Sequence, residues 1–262
     1  MPNAREPAVA GSFYPVDPHS LRQQVDGFLA LAKSNLATPK AIIAPHAGYI
    51  YSGPIAASAY APIAALKDQI RRVILLGPAH RVYVKGLAVS SASVFNTPLG
   101  SIPIDRDAVD DLVNTLDNVS LSDAAHEQEH SLEVHLPFLQ QVLDKFYLVP
   151  LVVGEVSTND VATVLDRLWG GPETLIVISS DLSHYHDYDT ARSMDRATAT
   201  AIENMDPNTL NQEQACGQIP VCGLLIAAKA RGLKAQTVDL RNSGDTAGPH
   251  NQVVGYGAWL FS

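Results

Sequence analysis

The sequence predicts a single three-layer α/β domain that spans residues 1–262. Short apolar runs rich in β-branched residues alternate along the chain with stretches of helical periodicity, which is the pattern of strands joined by helices. The chain shows no internal repeat and no long linker, and its length is within the range of one large domain. A hydrophobic fraction of 46% and a charged fraction of 17% are typical of a protein with a well-formed core.

Helices are predicted where apolar residues recur at intervals of three and four and where capping signals precede them. Asp17 followed by Pro18 gives the first helix a cap with proline just inside it, and Asp105 caps the third helix. The second helix is rich in alanine and glycine, which allows close packing on a sheet. The predicted helices are 17–34, 53–60, 105–116, 132–143, 160–169, 188–205 and 220–231.

Strands are predicted where short apolar runs end at glycine, proline, serine or asparagine. Pro150 interrupts one of these runs, and the last two strands are expected to close the sheet. The predicted strands are 41–44, 72–76, 87–90, 102–104, 146–153, 175–179, 234–240 and 253–261.

Composition and charge disfavour several classes of function. A formal net charge of −9 without a dense block of lysine and arginine argues against nucleic-acid binding. Two cysteines are too few for a disulfide scaffold and fit a reducing compartment. The first residues lack the apolar core of a secretory signal and no apolar run is long enough to span a membrane, so we expect a cytoplasmic protein without membrane contact. Glycine-rich nucleotide-binding motifs are absent, which disfavours a nucleotide-dependent enzyme.

Imidazoles follow three of the predicted strands. His46 and His80 lie two and four residues beyond adjacent-looking strands, and His184 follows a third strand. The carboxyl ends of parallel strands form the usual ligand-binding crevice of an open α/β sheet. Each histidine taken alone is better explained by a hydrogen bond to a carbonyl group, but the set indicates a metal or acid/base site. Neutral imidazole and thiolate suit zinc, iron or copper better than magnesium or calcium.

Asp181 stands three residues before His184. A carboxylate at this spacing can orient the imidazole, fix its tautomer and raise its basicity. We therefore predict His184 as a general base or an outer metal contact, with Asp181 as its orienting partner. The alternative for Asp181 is an Asx hydrogen bond that caps the following turn.

Residues 127–137 form the densest group of ionisable side chains. His130 is predicted to line the pocket and His135 to be buried and structural. The two histidines are five residues apart, so the zincin motif does not apply, and a helix start with favourable acidic residues is the simpler alternative. The sequence assigns no role to Glu129 or Glu133.

The two cysteines are predicted to differ in function. Cys216 precedes a predicted helix, where a thiol is expected to have a lowered pKa and to act as a metal ligand or a nucleophile. Cys222 lies in an apolar stretch and is expected to be a small buried side chain. A Cys-His-Asp hydrolase remains an alternative, although no nucleophile elbow accompanies it.

Taken together, several segments resemble the Memo protein family, whose prokaryotic members are called AmmeMemoRadiSam system protein B. The resemblance covers essentially the whole chain, with the motifs in the same order. The segments are Glu6–Tyr14, Ile43–Tyr49, Tyr51–Gly53, Leu76–His80, Glu129–Pro137, Ser179–His184, Cys216–Gly217 and the final Gly255–Ala258.

This resemblance implies a fold and a set of site residues. The fold would be a central mixed sheet between helices, like that of the class III non-haem iron extradiol dioxygenases. By similarity to the family, the metal ligands are His46, His80 and Cys216, and the residues of acid/base chemistry beside the metal are His184, Asp181 and His130.

The resemblance also implies a class of function. The dioxygenases complete their metal site with a carboxylate where this chain has Cys216, a softer and oxidisable ligand, so ring cleavage is not carried over. Iron(II) is the expected metal, with copper or zinc as alternatives. The expected function is a redox or oxygen-linked oxidoreductase acting on a small molecule, and the alternative is a non-enzymatic module that binds peptides or phosphopeptides in the same cleft. The family name implies AMMECR1-like and radical SAM proteins as partners.

Overall fold

A mixed sheet forms the middle layer of the structure. The computed structural model describes residues 3–262, and within them nine strands form this sheet and three form a smaller one. In chain order the strands are β1 (Ala4–Arg5), β2 (Ala41–Ala44), β3 (Arg72–Pro78), β4 (Leu87–Val89), β5 (Val94–Thr97), β6 (Gly100–Pro103), β7 (Val119–Leu121), β8 (Tyr147–Val153), β9 (Thr174–Ser179), β10 (His184–His186), β11 (Ala235–Asn242) and β12 (Val253–Phe261). The large sheet has the order β10-β12-β2-β9-β3-β8-β4-β7, and β11 pairs with β12.

Helices pack on this sheet in two groups. They are α1 (Pro18–Leu31), α2 (Tyr49–Tyr60), α3 (Arg106–Thr115), α4 (Asp123–Glu127), α5 (Leu136–Val142), α6 (Thr158–Leu168), α7 (Tyr188–Glu203) and α8 (Gln218–Lys229). Helices α1, α2 and α5 pack together, with α2 against β2, β11 and β12, whereas α6 packs on α8, which contacts β3 and β9. The predicted three-layer α/β fold with a mixed central sheet is therefore confirmed.

The parallel centre of the sheet determines where the histidine segments meet. Strands β2, β9, β3 and β8 run parallel, and Ala44 lies opposite Ser179 while Leu76 lies opposite Ile178. Strands β2 and β3 are not neighbours, because β9 lies between them. The chain segments that carry His46, Asp181 and His80 consequently leave three consecutive strands at one edge of the sheet.

Several boundaries differ from the sequence prediction. Helix α2 begins at Tyr49 rather than near residue 53 and continues through Pro54, since burial of Tyr49 and Ser52 outweighs the hydrogen bond that proline cannot donate. The helix predicted at 132–143 starts as a 3₁₀ turn and becomes α-helical only at α5. Strands β1, β5, β7 and β10 and helix α4 were not predicted. The capping predictions are confirmed, because the side chains of Asp17 and Asp105 accept hydrogen bonds from the first turns of α1 and α3.

None of the helices within residues 3–262 is long and apolar enough to cross a lipid bilayer.

Candidate metal centre

Three histidine rings meet beyond the carboxyl ends of β2 and β3. His46 follows β2, His80 follows β3, and His130 comes from the loop after α4. The ring centroids are 5.1 Å apart for His46 and His80, 5.5 Å for His46 and His130, and 4.7 Å for His80 and His130. One nitrogen from each ring lies within 4.8 Å of the nitrogens of the other two. This convergence allows the three rings to hold one metal ion.

A serine hydroxyl determines which nitrogen of His46 is free. Ser179 Oγ lies 2.6 Å from His46 Nδ1 and donates its own proton to the carbonyl oxygen of Ser131, also at 2.6 Å. Because that proton is already used, Ser179 accepts the Nδ1–H of His46, and the lone pair of His46 stays on Nε2. Histidines that bind metals are commonly held in this way by a hydrogen bond to the other ring nitrogen.

Glu129 holds His80 by two hydrogen bonds. Its Oε1 accepts His80 Nδ1–H at 2.9 Å and its Oε2 accepts the backbone N–H of His80 at 2.6 Å. Burial by itself would raise the pKa of Glu129, but the interactions with His80 and the backbone N–H of Ser131 outweigh it and lower the pKa to about 2. An ionised carboxylate only accepts hydrogen bonds, so a neutral His80 carries its proton on Nδ1 and presents the lone pair of Nε2.

Burial favours the neutral form of His46 and His130. It lowers the pKa of His46 well below the usual value, and the neighbouring His80 and His130 lower it further. Burial also lowers the pKa of His130 to about 4, against the opposite effect of the Glu129 carboxylate. Within residues 3–262, the buried Nδ1 of His130 has no hydrogen-bond partner. Neutral imidazoles with free nitrogens are the form that binds a metal.

Cys216 lies beside this cluster, just before α8. Its Sγ is 3.4 Å from His46 Nε2 and accepts the backbone N–H of Asp181 at 3.3 Å. This contact is a hydrogen bond in the metal-free protein, and a sulfur and a nitrogen bound to one tetrahedral ion would also be about 3.5 Å apart. Among the described residues, the group whose ligand atoms all lie within 4.8 Å of one another is His46, His80 and His130, without Cys216. The expected lowering of the thiol pKa is wrong for the metal-free protein. Burial, followed by the charge of Asp181, raises the pKa of Cys216 to about 12, and nearby backbone N–H donors do not compensate.

Asp181 and His184 lie on the chain segment that leaves β9. Asp181 Oδ1 accepts the backbone N–H of His46 at 2.8 Å, and burial raises the pKa of this carboxyl to about 6. His184 Nδ1 lies 2.7 Å from the carbonyl oxygen of Leu182, which can only accept, so a neutral His184 presents the lone pair of Nε2. The orienting partner of His184 is thus Leu182 rather than the predicted Asp181, which positions the loop of His46 instead.

Two cavities reach the cluster. The first, which we call the His184 cavity, has a volume of about 340 Å³ and is lined by His130, Asp181 and His184 together with several aromatic side chains. The second, the Cys216 cavity, has a volume of about 440 Å³ and is lined by His80 and Cys216 among mainly apolar residues. Small molecules can therefore reach His130, Asp181 and His184 through the first cavity, and His80 and Cys216 through the second.

The family described as Memo-like protein matches residues 5–260 of the sequence. The chain belongs to the Memo family. A MEMO1 family protein of Aquifex aeolicus is 37% identical over 268 residues, with 98% of both chains covered. MEMO1 family proteins of Metallosphaera sedula and Methanopyrus kandleri are 33% and 34% identical over 98% of this chain and 99% and 98% of their own.

Among solved structures, that of an uncharacterized protein of Escherichia coli K12 covers 85% of this chain and 99% of its own, with a TM-score of 0.46 and 14% identity. This likeness is too weak to support a conclusion. Membership of the Memo family rests on the sequence comparisons and confirms the resemblance found in the motifs.

The Memo-family site contains most of the residues that the sequence singled out. Two residues lie outside it: His135 is buried and bonds to the Tyr60 hydroxyl at 2.9 Å, and Cys222 is buried on α8, where its thiol donates to the Pro207 carbonyl oxygen at 3.4 Å. Sequence reasoning missed the contributions of Ser179 and Glu129, which hold the rings of His46 and His80. Both residues begin segments of the family resemblance, Glu129–Pro137 and Ser179–His184, which was the available signal. Their contacts with the histidines depend on which loops meet in the fold.

Cys216 is expected to react slowly with iodoacetamide in the metal-free Memo-family protein. With a pKa of about 12, only about one thiol in 10⁴ is ionised at pH 8, and the thiolate is the reactive form. The rate should therefore keep rising with pH up to pH 10 and beyond. Mass spectrometry of a Cys222→Ser variant isolates this reaction, and a rate that levels off near pH 8 would contradict the expected pKa.

Proposed function

We propose that this chain is a transition-metal-dependent oxidoreductase that takes a small molecule in the His184 cavity. His46 and His80 would hold the metal ion together with a third ligand, either His130 or Cys216. Iron(II) is the proposed metal, and copper or zinc also suit these nitrogen and sulfur donors. Such an ion supplies Lewis acidity and, for iron or copper, electron transfer.

The observation that supports this proposal most is the convergence of one nitrogen from each of the three imidazoles. His46 and His80 each have Nδ1 bonded to a fixed acceptor, and one nitrogen from each converges with a nitrogen of His130. Within residues 3–262, the buried Nδ1 of His130 has no hydrogen-bond partner, and such an atom costs free energy, so its place in this cluster favours a bound cation. A purely structural histidine needs no such arrangement.

The residues of the His184 cavity supply proton chemistry beside the metal site. A neutral His184 has a free Nε2 that can accept a proton from a bound molecule, since its Nδ1 is held by Leu182. The raised pKa of Asp181, about 6, allows this carboxyl to exchange a proton close to neutral pH. Both groups line the cavity that the small molecule would occupy.

Metal analysis of anaerobically purified protein tests the proposal. We expect near-stoichiometric iron in the wild type and in a His19→Ala control, because His19 is exposed on α1. His46→Ala and His80→Ala should each lose most of the metal. Equal metal content in the wild type and these two variants would sink the proposal.

The third ligand can be identified separately. Cobalt(II) bound to a thiolate shows a sulfur-to-metal charge-transfer band, which a site of nitrogen ligands lacks. If Cys216 is the ligand, Cys216→Ser loses the band and His130→Ala keeps it. If His130 is the ligand, the wild type shows no such band and His130→Ala loses metal.

Binding of phosphopeptides in the same cleft is not favoured by the site. Phosphopeptide sites commonly use cationic side chains, and burial favours the uncharged form of His46 and His130 at neutral pH. Phosphotyrosine titrated into the metal-free protein should therefore show no saturable binding.

A further inference from the structure

Strand β10 contains an extra residue where it pairs with β12. His184 lies opposite Val254 and His186 lies opposite Val253, so three residues of β10 face two of β12, and Tyr185 is the additional residue of a β-bulge. Its φ of 61° is in the left-handed region. A residue with a large side chain rarely adopts this conformation, because its Cβ crowds a neighbouring carbonyl oxygen. The bulge therefore holds Tyr185 in an unfavourable backbone conformation.

The bulge also changes the direction of the Tyr185 side chain. Consecutive residues of a regular strand point to opposite faces of the sheet, so their rings do not meet. Here the ring centroids of Tyr185 and His184 are 5.7 Å apart, and both residues line the His184 cavity. Bulges are common beside active sites, where they redirect a side chain in this way.

Packing in the core does not account for an aromatic ring at this position. The side chain of Tyr185 is 71% exposed, so its burial offsets little of the cost of the backbone conformation. Unfavourable backbone conformations of this kind are concentrated at ligand-binding and active sites. An aromatic ring gains most from contact with another flat, unsaturated group, and Phe13 and Tyr51 also line the cavity.

We infer that the bulge in β10 presents the ring of Tyr185 as a wall of the His184 cavity, against which a flat, unsaturated part of the bound small molecule packs. Tyr185 would thus select the ligand by shape. The inference rests on the proposed function and deepens it, because it assigns a ligand-contacting residue to the same cavity.

Benzamide and cyclohexanecarboxamide are a matched pair of probes. Both carry the same neutral carboxamide, but the ring of benzamide is flat and that of cyclohexanecarboxamide is puckered. Their dissociation constants are measured by ligand-observed NMR on metal-free and on zinc-loaded protein, and zinc is chosen because it has no redox chemistry. We expect the wild type to bind benzamide more tightly than cyclohexanecarboxamide.

Tyr185→Ala should weaken benzamide binding about three- to tenfold, the effect of losing one aromatic contact, and should weaken cyclohexanecarboxamide binding less. Tyr185→Phe keeps the ring and should keep the preference for benzamide. Tyr147→Ala should change neither dissociation constant, because Tyr147 is an exposed tyrosine at the opposite end of the parallel strands. All three variants should keep the metal content of the wild type.

A comparison of Tyr185→Gly with Tyr185→Ala tests the backbone conformation separately, since both variants lack the ring. In a regular strand glycine is less stable than alanine, whereas at a left-handed residue glycine is the better tolerated of the two. We therefore expect a higher urea midpoint for Tyr185→Gly than for Tyr185→Ala. The reverse order would show that the bulge does not strain this residue and would overturn the inference.

An unchanged preference for benzamide in Tyr185→Ala, equal affinity of the wild type for the two probes, or no saturable benzamide binding would also overturn the inference. These results are separable from a failure of the proposed function. If the histidine variants show that no metal binds, but the preference for benzamide still depends on Tyr185, only the metal-dependent function falls. If metal binds and Tyr185→Ala keeps the preference, only the role of Tyr185 falls.

Discussion

Replacing Glu133 with alanine is expected to lower the free energy of unfolding by about 3–5 kcal/mol, the range for breaking a buried ion pair. Glu133 is buried, and its carboxylate accepts hydrogen bonds from the side chains of Arg5 and Tyr14 and from the backbone N–H groups of Ala8 and Val9. Alanine at this position leaves a buried guanidinium without its counter-charge and three further donors without an acceptor. The loss should therefore exceed that of an ordinary surface substitution several-fold.

Urea unfolding checks this expectation. Glu127→Ala is the matched control, because Glu127 is exposed six residues earlier in the same acidic segment, and it should change the free energy by less than about 0.5 kcal/mol. Glu133→Gln keeps an acceptor oxygen but loses the charge, so an intermediate loss is expected. A loss below about 1 kcal/mol for Glu133→Ala would show that Arg5 is not held as a buried ion.

Glu133→Ala is also expected to disturb the position of His130 in the candidate metal centre. The N-terminal segment that Glu133 holds carries Phe13, whose ring lies 4.9 Å from that of His130 and whose carbonyl oxygen accepts the backbone N–H of Tyr49 at 2.8 Å. Loosening this segment removes the packing that orients His130. Glu133 is thus a structural support of the cluster, a role that the sequence left unassigned.

Local signals were sufficient to predict most of the fold. The caps at Asp17 and Asp105 mark helix starts that depend only on nearby residues, and they were placed correctly. Strand β5 depends in part on pairing with β1, about 90 residues earlier in the chain, and the early start of α2 depends on burial of Tyr49. Sequence periodicity carries no information about such contacts.

The sequence predicted those parts of the candidate site that depend only on the order and direction of the strands. His46 and His80 follow parallel strands, so their arrival at one edge of the sheet follows from the fold class. The sign of the Cys216 pKa shift was not predictable, because burial and the proximity of Asp181 outweigh the helix start and neither is visible in the sequence.

His135 is expected to destabilise the protein in acid. It is buried beside the hydroxyl of Tyr60, and burial lowers its pKa to about 3. A histidine in the unfolded chain takes up its proton near pH 6.5. The unfolded state therefore binds more protons between about pH 6.5 and pH 3, so this contribution to stability falls as the pH falls through that range. At pH 5 the difference from pH 8 amounts to about 2 kcal/mol for this one group.

Other buried groups act in the opposite direction, so a comparison of variants is needed to isolate His135. Burial raises the pKa values of Asp181 and Asp195 to about 6, and these carboxyls bind protons in the folded state first, which stabilises the protein as the pH falls from 7 towards 4. We expect His135→Gln to reduce the loss of unfolding free energy between pH 8 and pH 5 by about 2 kcal/mol relative to the wild type. His19→Gln, at an exposed position, should leave the pH dependence of the unfolding free energy unchanged, because the side chain of His19 is hydrated in the folded and the unfolded protein. An unchanged pH dependence in His135→Gln would mean that water reaches this histidine in the folded protein.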